Sequence, residues 1–370
     1  MKALYKKIRE YIPLFSLFMF CFALISLIFY LIVLNSVEFA NFFNYNVASI
    51  VRMIMAMATS FIPFSTAELF LILSPILLAL FVVLIVKTAK RGKKSSIRLL
   101  TIIFSLLLYI FITFVWTYSS GFHTTPIDEQ LGLDSDTTTK QELYDSTKFI
   151  VENLNRLSVE ITYDENGSSK NEYSYTELSS KICDAYVLYE KEYGIIRTFD
   201  SNIKPIMLSE PLTYTHISGI YTFMTGEGNV NVNFPDFIVV TSTAHEMSHQ
   251  RGVAREDEAN ITAFIVLINS DDAFLQYSAY LDIYRHLANA LYSVDKELYA
   301  EIYGSLSASV KKDLANYSEF FKKYKDSKAS EVTDKVNDSY LQANGQEQGI
   351  KSYGLIVDTT CAYLIKYKMN

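Results

Sequence analysis

The most informative part of this sequence is Thr243-Ala-His245-Glu246-Met-Ser-His249-Gln-Arg-Gly252-Val-Ala-Arg-Glu256-Asp-Glu258-Ala-Asn260, an HExxH pattern followed by an acidic cluster. On a helix, His245 and His249 project from one face, one turn apart, so both imidazoles can bind the same metal ion. Glu246 then lies close enough to a metal-bound water to remove its proton as a general base. The pattern predicts a zinc site with its own catalytic base.

The residues around this pattern predict a buried helix followed by a reversal of the chain. Ile238-Val239-Val240 begin an apolar face, and Gly252 supplies the left-handed residue that ends a helix. On the predicted second helix, Glu256 and Asn260 are four positions apart. A reversal at Gly252 would bring the first turn of that helix back to the histidines. A carboxylate would then be the third protein ligand, and the fourth position would remain for water.

Three charge-free apolar runs near the N-terminus are each close to the roughly 20 residues that cross a bilayer core. They cover about residues 13–34, 69–86 and 99–118, and they predict three transmembrane helices. The segment 35–67 between the first two is interpreted as extracytoplasmic and interfacial. Within it, the methionine-rich run 46–64 fits an amphipathic helix at the membrane surface, and packing on the following domain is an open alternative.

Basic residues flank these runs on one side of the membrane. Lysines and arginines occur within residues 2–9 and 87–98, and the positive-inside rule assigns both segments to the cytoplasm. The chain after Tyr118 is therefore predicted to lie outside the cell membrane, as a linker at 119–139 and a domain at 140–370. Tyr118 fits an aromatic belt at that exit. The sequence thus predicts a multi-pass cell-membrane protein that has the lipid bilayer as a partner.

Charge and cysteine content limit the functions of the outer part. Residues 1–118 carry a net charge of +8. Because the whole chain has a net charge of −7, residues 119–370 carry −15. Such an acidic domain argues against nucleic acid as a partner, because nucleic-acid binding needs a basic surface. Cys183 and Cys361 are the two cysteines of this part. They predict either one disulfide in an oxidising compartment or two buried thiols.

Hydrophobic periodicity predicts that the outer domain is mainly α, of the α+β type, with a small sheet. The predicted helices cover about Glu142–Leu157, Tyr175–Tyr193, Asp271–Val294, Lys296–Tyr303, Leu306–Tyr324 and Ile350–Tyr367. Between them, Ile206–Phe234 is rich in β-branched and aromatic residues and predicts short strands. Gly228–Phe234 is interpreted either as an edge strand that pairs with an extended substrate or as an ordinary hairpin.

The metal pattern resembles that of gluzincin-type zincin metallopeptidases, in which a glutamate of an ExxxD or ExxAD pattern follows HExxH. Here Glu256-Asp-Glu-Ala-Asn260 matches, with Asn in place of Asp. The resemblance implies that Glu256 is the third zinc ligand and that Asn260 accepts the outer N–H of a zinc-bound histidine. Glu256 follows His249 by only seven positions, closer than in most gluzincins. Glu258 therefore remains a competing third ligand.

Over nearly its whole length the chain resembles a bacterial membrane family known as domain of unknown function 3810. The resemblance is carried by the N-terminal spans, by Gly226-Glu227-Gly-Asn229-Val-Asn231, and by HExxHxxG with Glu-Asp-Glu-Ala-Asn. The C-terminal stretch from Tyr340-Leu-Gln-Ala-Asn-Gly to Ser352-Tyr353-Gly354 also matches. The resemblance implies a membrane-tethered, zincin-like hydrolase and supplies no substrate.

These features together predict a zinc-dependent metallopeptidase at the outer face of the cytoplasmic membrane. Glu246 would be its base, and peptides or proteins, including envelope components, would be its substrates. Tyr353 is the predicted donor to the oxyanion of the tetrahedral intermediate, with His286 as an alternative. The competing hypothesis is a non-catalytic zinc-binding protein that assembles or binds partners at the membrane. A closed structural site would need four protein ligands and no base.

Overall fold

The structure is a computed structural model that describes residues 8–134, 138–325, 327–344 and 355–369. Most of these residues are helical, and a small three-stranded sheet lies in the second half of the chain. The predicted combination of apolar N-terminal helices with a mainly helical domain and a small sheet is confirmed at this level. Tyr353, the predicted oxyanion donor, lies outside the described residues.

The N-terminal part contains three helices that are long and apolar enough to cross a membrane. In chain order, the helices of this part are α1 (Leu14–Asn35), α2 (Val37–Phe43), α3 (Ser49–Ser60), α4 (Thr66–Lys90) and α5 (Lys93–Thr117). The long ones are α1, α4 and α5, and they contain nearly all of the three predicted apolar runs. Helix α1 packs on α5, where the Trp116 indole N–H donates to the Ser26 hydroxyl at 3.0 Å.

The short helix α3 has two different faces, which explains why its sequence allowed two interpretations. Ile50, Ile54 and Met57 are exposed on one face, whereas Arg52 and Ala56 are buried on the other. The buried face packs on the following domain. Helix α3 continues directly from α2 through the π-helical turn Asn44–Ala48, so its contacts with the domain rather than its length decide its position. Both the amphipathic pattern and the alternative of packing on the domain are therefore present in one helix.

Arg52 joins this helix to two distant parts of the chain. Its side chain is 1% exposed, and its guanidinium donates to the carbonyls of Thr117 at 2.7 Å, Arg251 at 3.1 Å and Asn44 at 3.0 Å. Burial lowers the pKa of Arg52 to about 10, so the group remains charged at neutral pH. These hydrogen bonds connect the end of α5 to the loop after the HExxH helix.

We expect Arg52→Met to destabilise the protein strongly. The substitution leaves several buried carbonyls without their charged donor, and hydrogen bonds to charged groups are worth roughly 1.5–3 kcal/mol each. The free energy of unfolding should fall by about 3 kcal/mol, as measured by chemical denaturation of the full chain in detergent. Arg91→Met is the matched control because Arg91 is exposed. Equal stability of the two variants would contradict the proposed role of Arg52.

The domain that follows is built around the HExxH helix. Its helices are α6 (Ile127–Gln130), α7 (Lys140–Leu157), α8 (Tyr175–Tyr193), α9 (Ser209–Thr213), α10 (Asp236–Gln250), α11 (Glu256–Ile268), α12 (Ala273–Val294), α13 (Lys296–Ser305), α14 (Ala308–Lys322), α15 (Lys328–Ala343) and α16 (Ile356–Tyr367). Twelve of the fifteen residues of α10 are buried, because α11, α12 and the sheet all pack on it. The predicted apolar face at Ile238-Val239-Val240 lies inside this core.

Two of the domain helices begin with capping boxes. The Thr139 hydroxyl accepts the N–H of Glu142 at the start of α7, and the Ser174 hydroxyl accepts that of Glu177 at the start of α8. In each box the glutamate side chain also accepts the backbone N–H of the capping residue, which satisfies two donors at the helix start. These boxes explain why both helices begin close to the residues that periodicity predicted.

The sheet differs from the prediction in which strand forms its edge. The strands are β1 (Lys204–Pro205), β2 (Gly219–Thr222) and β3 (Glu227–Val230), in the order β1-β3-β2. Strand β3 pairs in parallel with β1 and antiparallel with β2. The edge-strand interpretation of Gly228–Phe234 is therefore wrong, because this segment begins within the central strand. The alternative of a hairpin holds, since β2 and β3 are consecutive antiparallel strands. The edge beside the HExxH helix is β2.

Buried asparagines are the physical reason for this difference. Strand β3 contains Glu and Asn, yet Glu227–Val230 is buried throughout. The side-chain amide of Asn229 donates to the Ile220 carbonyl at 2.9 Å, and that of Asn231 donates to the Ile217 carbonyl at 3.0 Å. A buried amide is tolerated when it is hydrogen-bonded in this way.

The segment 119–139, predicted as a linker, packs on the domain over much of its described length. Ser119–Phe122 forms a buried 3-10 turn, and the Ile127 N–H donates to the Glu258 carboxylate at 3.0 Å. Gly121 lies so close to the Gly252 carbonyl and to Ala254 that a β-carbon would clash there. The spans and the domain are therefore joined by packed structure rather than by a solvated tether.

The cysteines of the domain are free thiols. Cys183 and Cys361 are both buried and unlinked, so the alternative of two buried thiols holds and the disulfide does not form in this structure. The guanidinium of Arg251 lies 3.3 Å from the Cys183 sulfur. Cys183 thus packs beside the end of the HExxH helix.

Candidate metal centre

The histidines of α10 and the first residue of α11 meet because the chain reverses between these helices. Helix α10 ends next to Gly252, which adopts a φ of +99°, a conformation that favours glycine. The His245 Nε2 atom lies 3.1 Å from Glu256 Oε2, and the His249 Nε2 atom lies 3.6 Å from Glu256 Oε1. Within the described residues, one ligand atom from each of these three residues lies within 4.8 Å of the others.

These distances fit a tetrahedral ion. Zinc binds imidazole nitrogen and carboxylate oxygen at about 2.0–2.2 Å, and two ligands of such a tetrahedron are about 3.3 Å apart. The His245 separation, to Oε2 of Glu256, and the His249 separation, to Oε1, are each close to this value, so both carboxylate oxygens lie near enough to share an ion with the histidines. Two imidazoles and one carboxylate are also a donor set that suits zinc. The residues present therefore fit the ion that the sequence pattern predicts.

The structure separates the two glutamates that competed for the third ligand position. Glu256 faces the histidines, whereas Glu258 pairs with the Arg255 guanidinium at 2.7 Å and accepts the Ile127 N–H. Burial raises the pKa of Glu258 to about 7, and the positive charge of Arg255 limits this rise. The geometry therefore favours Glu256 as the metal ligand and gives Glu258 a structural role against the segment that precedes the domain.

Glu246 lies between its own helix and strand β2. Its side chain packs on Gly219 so closely that a β-carbon there would clash with it. Burial raises the pKa of the Glu246 carboxyl to about 7, although the two histidines and the backbone N–H of Tyr221 act in the opposite direction. Among the described residues, no protein group hydrogen-bonds to its Oε2 atom. The carboxyl group is therefore held in position with one oxygen left for another partner.

The outer nitrogen of His249 is held by the loop that follows α10. Its Nδ1 atom donates to the Val253 carbonyl at 2.7 Å and lies 3.0 Å from the Tyr118 hydroxyl. This contact fixes the ring so that Nε2 faces Glu256. Burial disfavours the charged imidazole, but the Glu256 carboxylate outweighs burial and raises the pKa of His249 to about 9. Burial also opposes the charge of Glu256, and the histidines nevertheless hold its pKa well below the usual range.

Two residues of this centre were not found by sequence reasoning. Tyr118 was interpreted as part of a membrane-surface belt, but it is only 6% exposed and contacts His249 across 131 sequence positions. The ring of Tyr221 stacks on His249 at a centroid distance of 6.4 Å. Neither residue is related to HExxH by a regular spacing, so only tertiary structure could associate them with the centre.

The other predicted site residues lie further out. Asn260 and His286 both line the cavity that contains the metal cluster. The outer nitrogen of His249 contacts the Val253 carbonyl, and the role of Asn260 beside a metal-binding histidine stays a prediction. Burial lowers the pKa of His286, so this histidine is neutral at pH 7 and can donate one hydrogen bond.

The cluster lies in the wall of a large cavity. The cavity has a volume of about 890 Å³ and extends from Tyr118 and Phe223 to Tyr317 and Phe321. This size is within the range of ligand-binding clefts. His245, Glu246, His249 and Glu256 all contribute to its lining. The cavity therefore brings together three side chains that can hold a metal ion, the carboxyl group of Glu246 and space for a substrate.

Residues 42–360 match a family model described as "Protein of unknown function (DUF3810)". The chain belongs to this family. The membership predicted from the sequence is thereby confirmed, and the match includes α4, α5 and the whole candidate metal centre. Neither the curated proteins nor the solved structures contain a match to the chain.

Proposed function

We propose that this DUF3810 protein is a membrane-anchored, zinc-dependent peptidase with a zincin-like catalytic domain. The observation that carries the proposal is the convergence of His245, His249 and Glu256 beside the unpaired oxygen of Glu246. All four side chains face one cavity. Three protein donors leave a fourth coordination position, which is typical of catalytic rather than structural zinc sites.

Each residue has a distinct part in hydrolysis. Zinc, when bound by the three ligands, supplies Lewis acidity for the peptide carbonyl and for water. Glu246 accepts a proton from the attacking water and then donates it to the nitrogen of the leaving amine. The Oε2 atom of Glu246 has no hydrogen-bond partner among the described protein groups, so this carboxyl group has an oxygen free to exchange a proton with water. The Val253 carbonyl holds the His249 ring in the orientation that binding requires.

Strand β2 provides a binding edge for an extended peptide. In its antiparallel pairing with β3, the Asn231 N–H donates to the Ser218 carbonyl at 2.8 Å. Because hydrogen-bonded and non-bonded positions alternate, the backbone groups of Gly219 and Tyr221 point away from β3, and the Tyr221 N–H donates to the Glu246 carboxyl group. Both residues line the cavity. A substrate strand can add to this edge next to Glu246.

The apolar helices support a location of this chemistry at a membrane. Helices α1, α4 and α5 are long and apolar enough to cross a bilayer, and the basic loop at residues 87–98, by the positive-inside rule, supports an outer location for the opposite end. The substrates would then be peptides or proteins outside the cytoplasm. A non-catalytic, partner-binding zinc protein is the competing proposal, and metal binding without hydrolysis would favour it.

Metal content and hydrolysis measured on the same sample test the proposal. We expect the full chain, purified in detergent, to contain about one zinc per chain and to cleave members of a mixed peptide library, detected by mass spectrometry. Treatment with 1,10-phenanthroline should abolish cleavage, and added zinc, but not magnesium, should restore it. One zinc per chain without any cleavage would favour the partner-binding protein. Absence of zinc from the intact protein would overturn both proposals.

A further inference from the structure

The metal centre lies at the height where helix α5 reaches the end of its apolar run. The last charged residue of α5 is Arg98, and twenty uncharged residues run from Leu99 to Tyr118. At 1.5 Å per residue this run is about 30 Å long, the thickness of a bilayer core. The Tyr118 hydroxyl, at the end of the run, lies 3.0 Å from His249. A metal ligand is therefore one side chain away from the edge of the hydrocarbon layer.

Helix α4 also contacts the domain where its apolar run begins. Its apolar run begins after Glu68, whose carboxylate accepts the backbone N–H groups of Met207 and Leu208 at 2.8 and 2.7 Å. The Lys204 ammonium donates to the carbonyls of Thr59 and Ser60 at the end of α3. These contacts fix the domain directly against the ends of the apolar helices, without a spacer.

Exposed apolar side chains continue from this level onto the domain. On one face of α3 and just after it, Ile50, Ile54, Met57 and Phe61 are 40, 58, 57 and 78% exposed. They recur at the three- and four-residue spacing of one helical stripe. Such a stripe, continuous with membrane-spanning helices, is typical of a helix that lies in the headgroup region. The occupant of this face is therefore the lipid bilayer surface.

The cavity reaches this surface. Phe114, in the last turns of α5, packs on Phe223 with ring centroids 5.6 Å apart, and Phe223, Tyr118 and Ile220 line the cavity on that side. Ile220 on the edge strand is itself 40% exposed. A chain that leaves the bilayer beside α5 would thus meet β2 within a few residues.

On the basis of the proposed peptidase function, we infer that the substrate is a polypeptide anchored in the same membrane and cleaved within a few residues of its point of exit. Apart from the Tyr221 N–H, which donates to Glu246, the outward backbone edge of β2 favours a peptide over a lipid, because lipid acyl chains make no use of backbone hydrogen-bonding groups. The apolar stripe on α3 lies against the bilayer, and the cavity accepts the polypeptide segment that emerges from the bilayer.

The test uses the full chain reconstituted in phosphatidylethanolamine and phosphatidylglycerol vesicles. A cleavable sequence from the peptide library is joined to a synthetic transmembrane helix in three forms: directly, through a rigid helical spacer of about 20 residues, and through a flexible Gly/Ser spacer of that length. The rigid spacer raises the sequence by about 30 Å above the bilayer. We expect the direct form to be cleaved at least about tenfold faster than the rigid form, with the flexible form intermediate.

The outcomes separate this inference from the proposed function. Equal cleavage of the direct and rigid forms, or of the direct form and the same peptide without its anchor, would overturn membrane-proximal specificity and leave the peptidase intact. Failure to cleave every form, including the free library peptides, would overturn the peptidase itself. Hydrolysis of vesicle lipid with all peptides intact, measured by mass spectrometry, would replace the peptide with a lipid substrate.

A variant of the apolar stripe on α3 provides a second test. Ile54→Glu with Phe61→Glu places two charges on the stripe that faces the bilayer and leaves the metal centre unchanged. We expect cleavage of the anchored peptide to fall at least about fivefold, with cleavage of the free peptide unaffected. Val159→Glu is the matched control, because Val159 is 85% exposed on the domain and far in sequence from the stripe. An equal effect on both peptides would contradict the inference.

Discussion

Replacing Glu246 with glutamine is expected to remove hydrolysis while zinc remains bound. Glutamine keeps the size of the side chain but cannot accept a proton from water. General-base catalysis contributes about 10²–10⁴-fold to rate, so turnover of a cleavable peptide should fall by roughly 10³-fold. The zinc content should stay at the wild-type level, because Glu246 is outside the three-residue ligand cluster. Turnover and metal content are measured on the same preparation.

A second glutamate provides the control for this substitution. Glu190 accepts the backbone N–H of Thr198 at 2.9 Å and is not among the residues that line the cavity. Glu190→Gln should therefore retain turnover. If Glu246→Gln instead retained full activity with zinc bound, the carboxyl group would have no part in the reaction and the proposed peptidase mechanism would be wrong.

Zinc affinity should distinguish Glu256 from Glu258 even more sharply. Residues that merely orient zinc ligands change metal affinity by about 10–100-fold when substituted, so removal of a direct ligand should cost more than roughly 100-fold. We expect Glu256→Gln to have this effect and Glu258→Gln to bind zinc nearly as tightly as the wild type. Competition with a chromophoric chelator measures both dissociation constants on the full chain.

The Glu258 variant has its own expected phenotype. It leaves the Arg255 guanidinium without its carboxylate at 2.7 Å, so we expect Glu258→Gln to lower thermal stability without loss of metal. The reverse pattern, with zinc lost only from Glu258→Gln, would make Glu258 the ligand. Wild-type zinc affinity in both variants would show that no carboxylate of this cluster binds the ion.

Features that depend on short-range periodicity could be predicted from the sequence. The apolar runs, the HExxH helix and its termination near Gly252 follow from spacings of three to four residues or from uninterrupted hydrophobicity. The turn at Gly252 also limits how far Glu256 can lie from the histidines, because only three residues separate it from Glu256. A local constraint of this kind brings the cluster together.

Features that depend on tertiary contacts could not be predicted. The different surroundings of Glu256 and Glu258 depend on Ile127, which is 131 positions away from Glu258. The burial of β3 depends on amide hydrogen bonds to carbonyls of β2 and its preceding turn, which no pattern within β3 reveals. Tyr118 belongs to the metal centre only because the turn at Ser119–Phe122 packs against the loop after α10.

The position of Tyr118 has a consequence for how a cell could regulate this protein. Many membrane-bound ectodomains are released by a single cut in a flexible stalk and continue to work in solution. Here such a cut would separate His249 from Tyr118, the Arg251 carbonyl from Arg52, and Lys204 from the carbonyls of α3. Release of the domain from the apolar helices would therefore disrupt the candidate metal centre, and a separate soluble form would have to fold without these buried contacts.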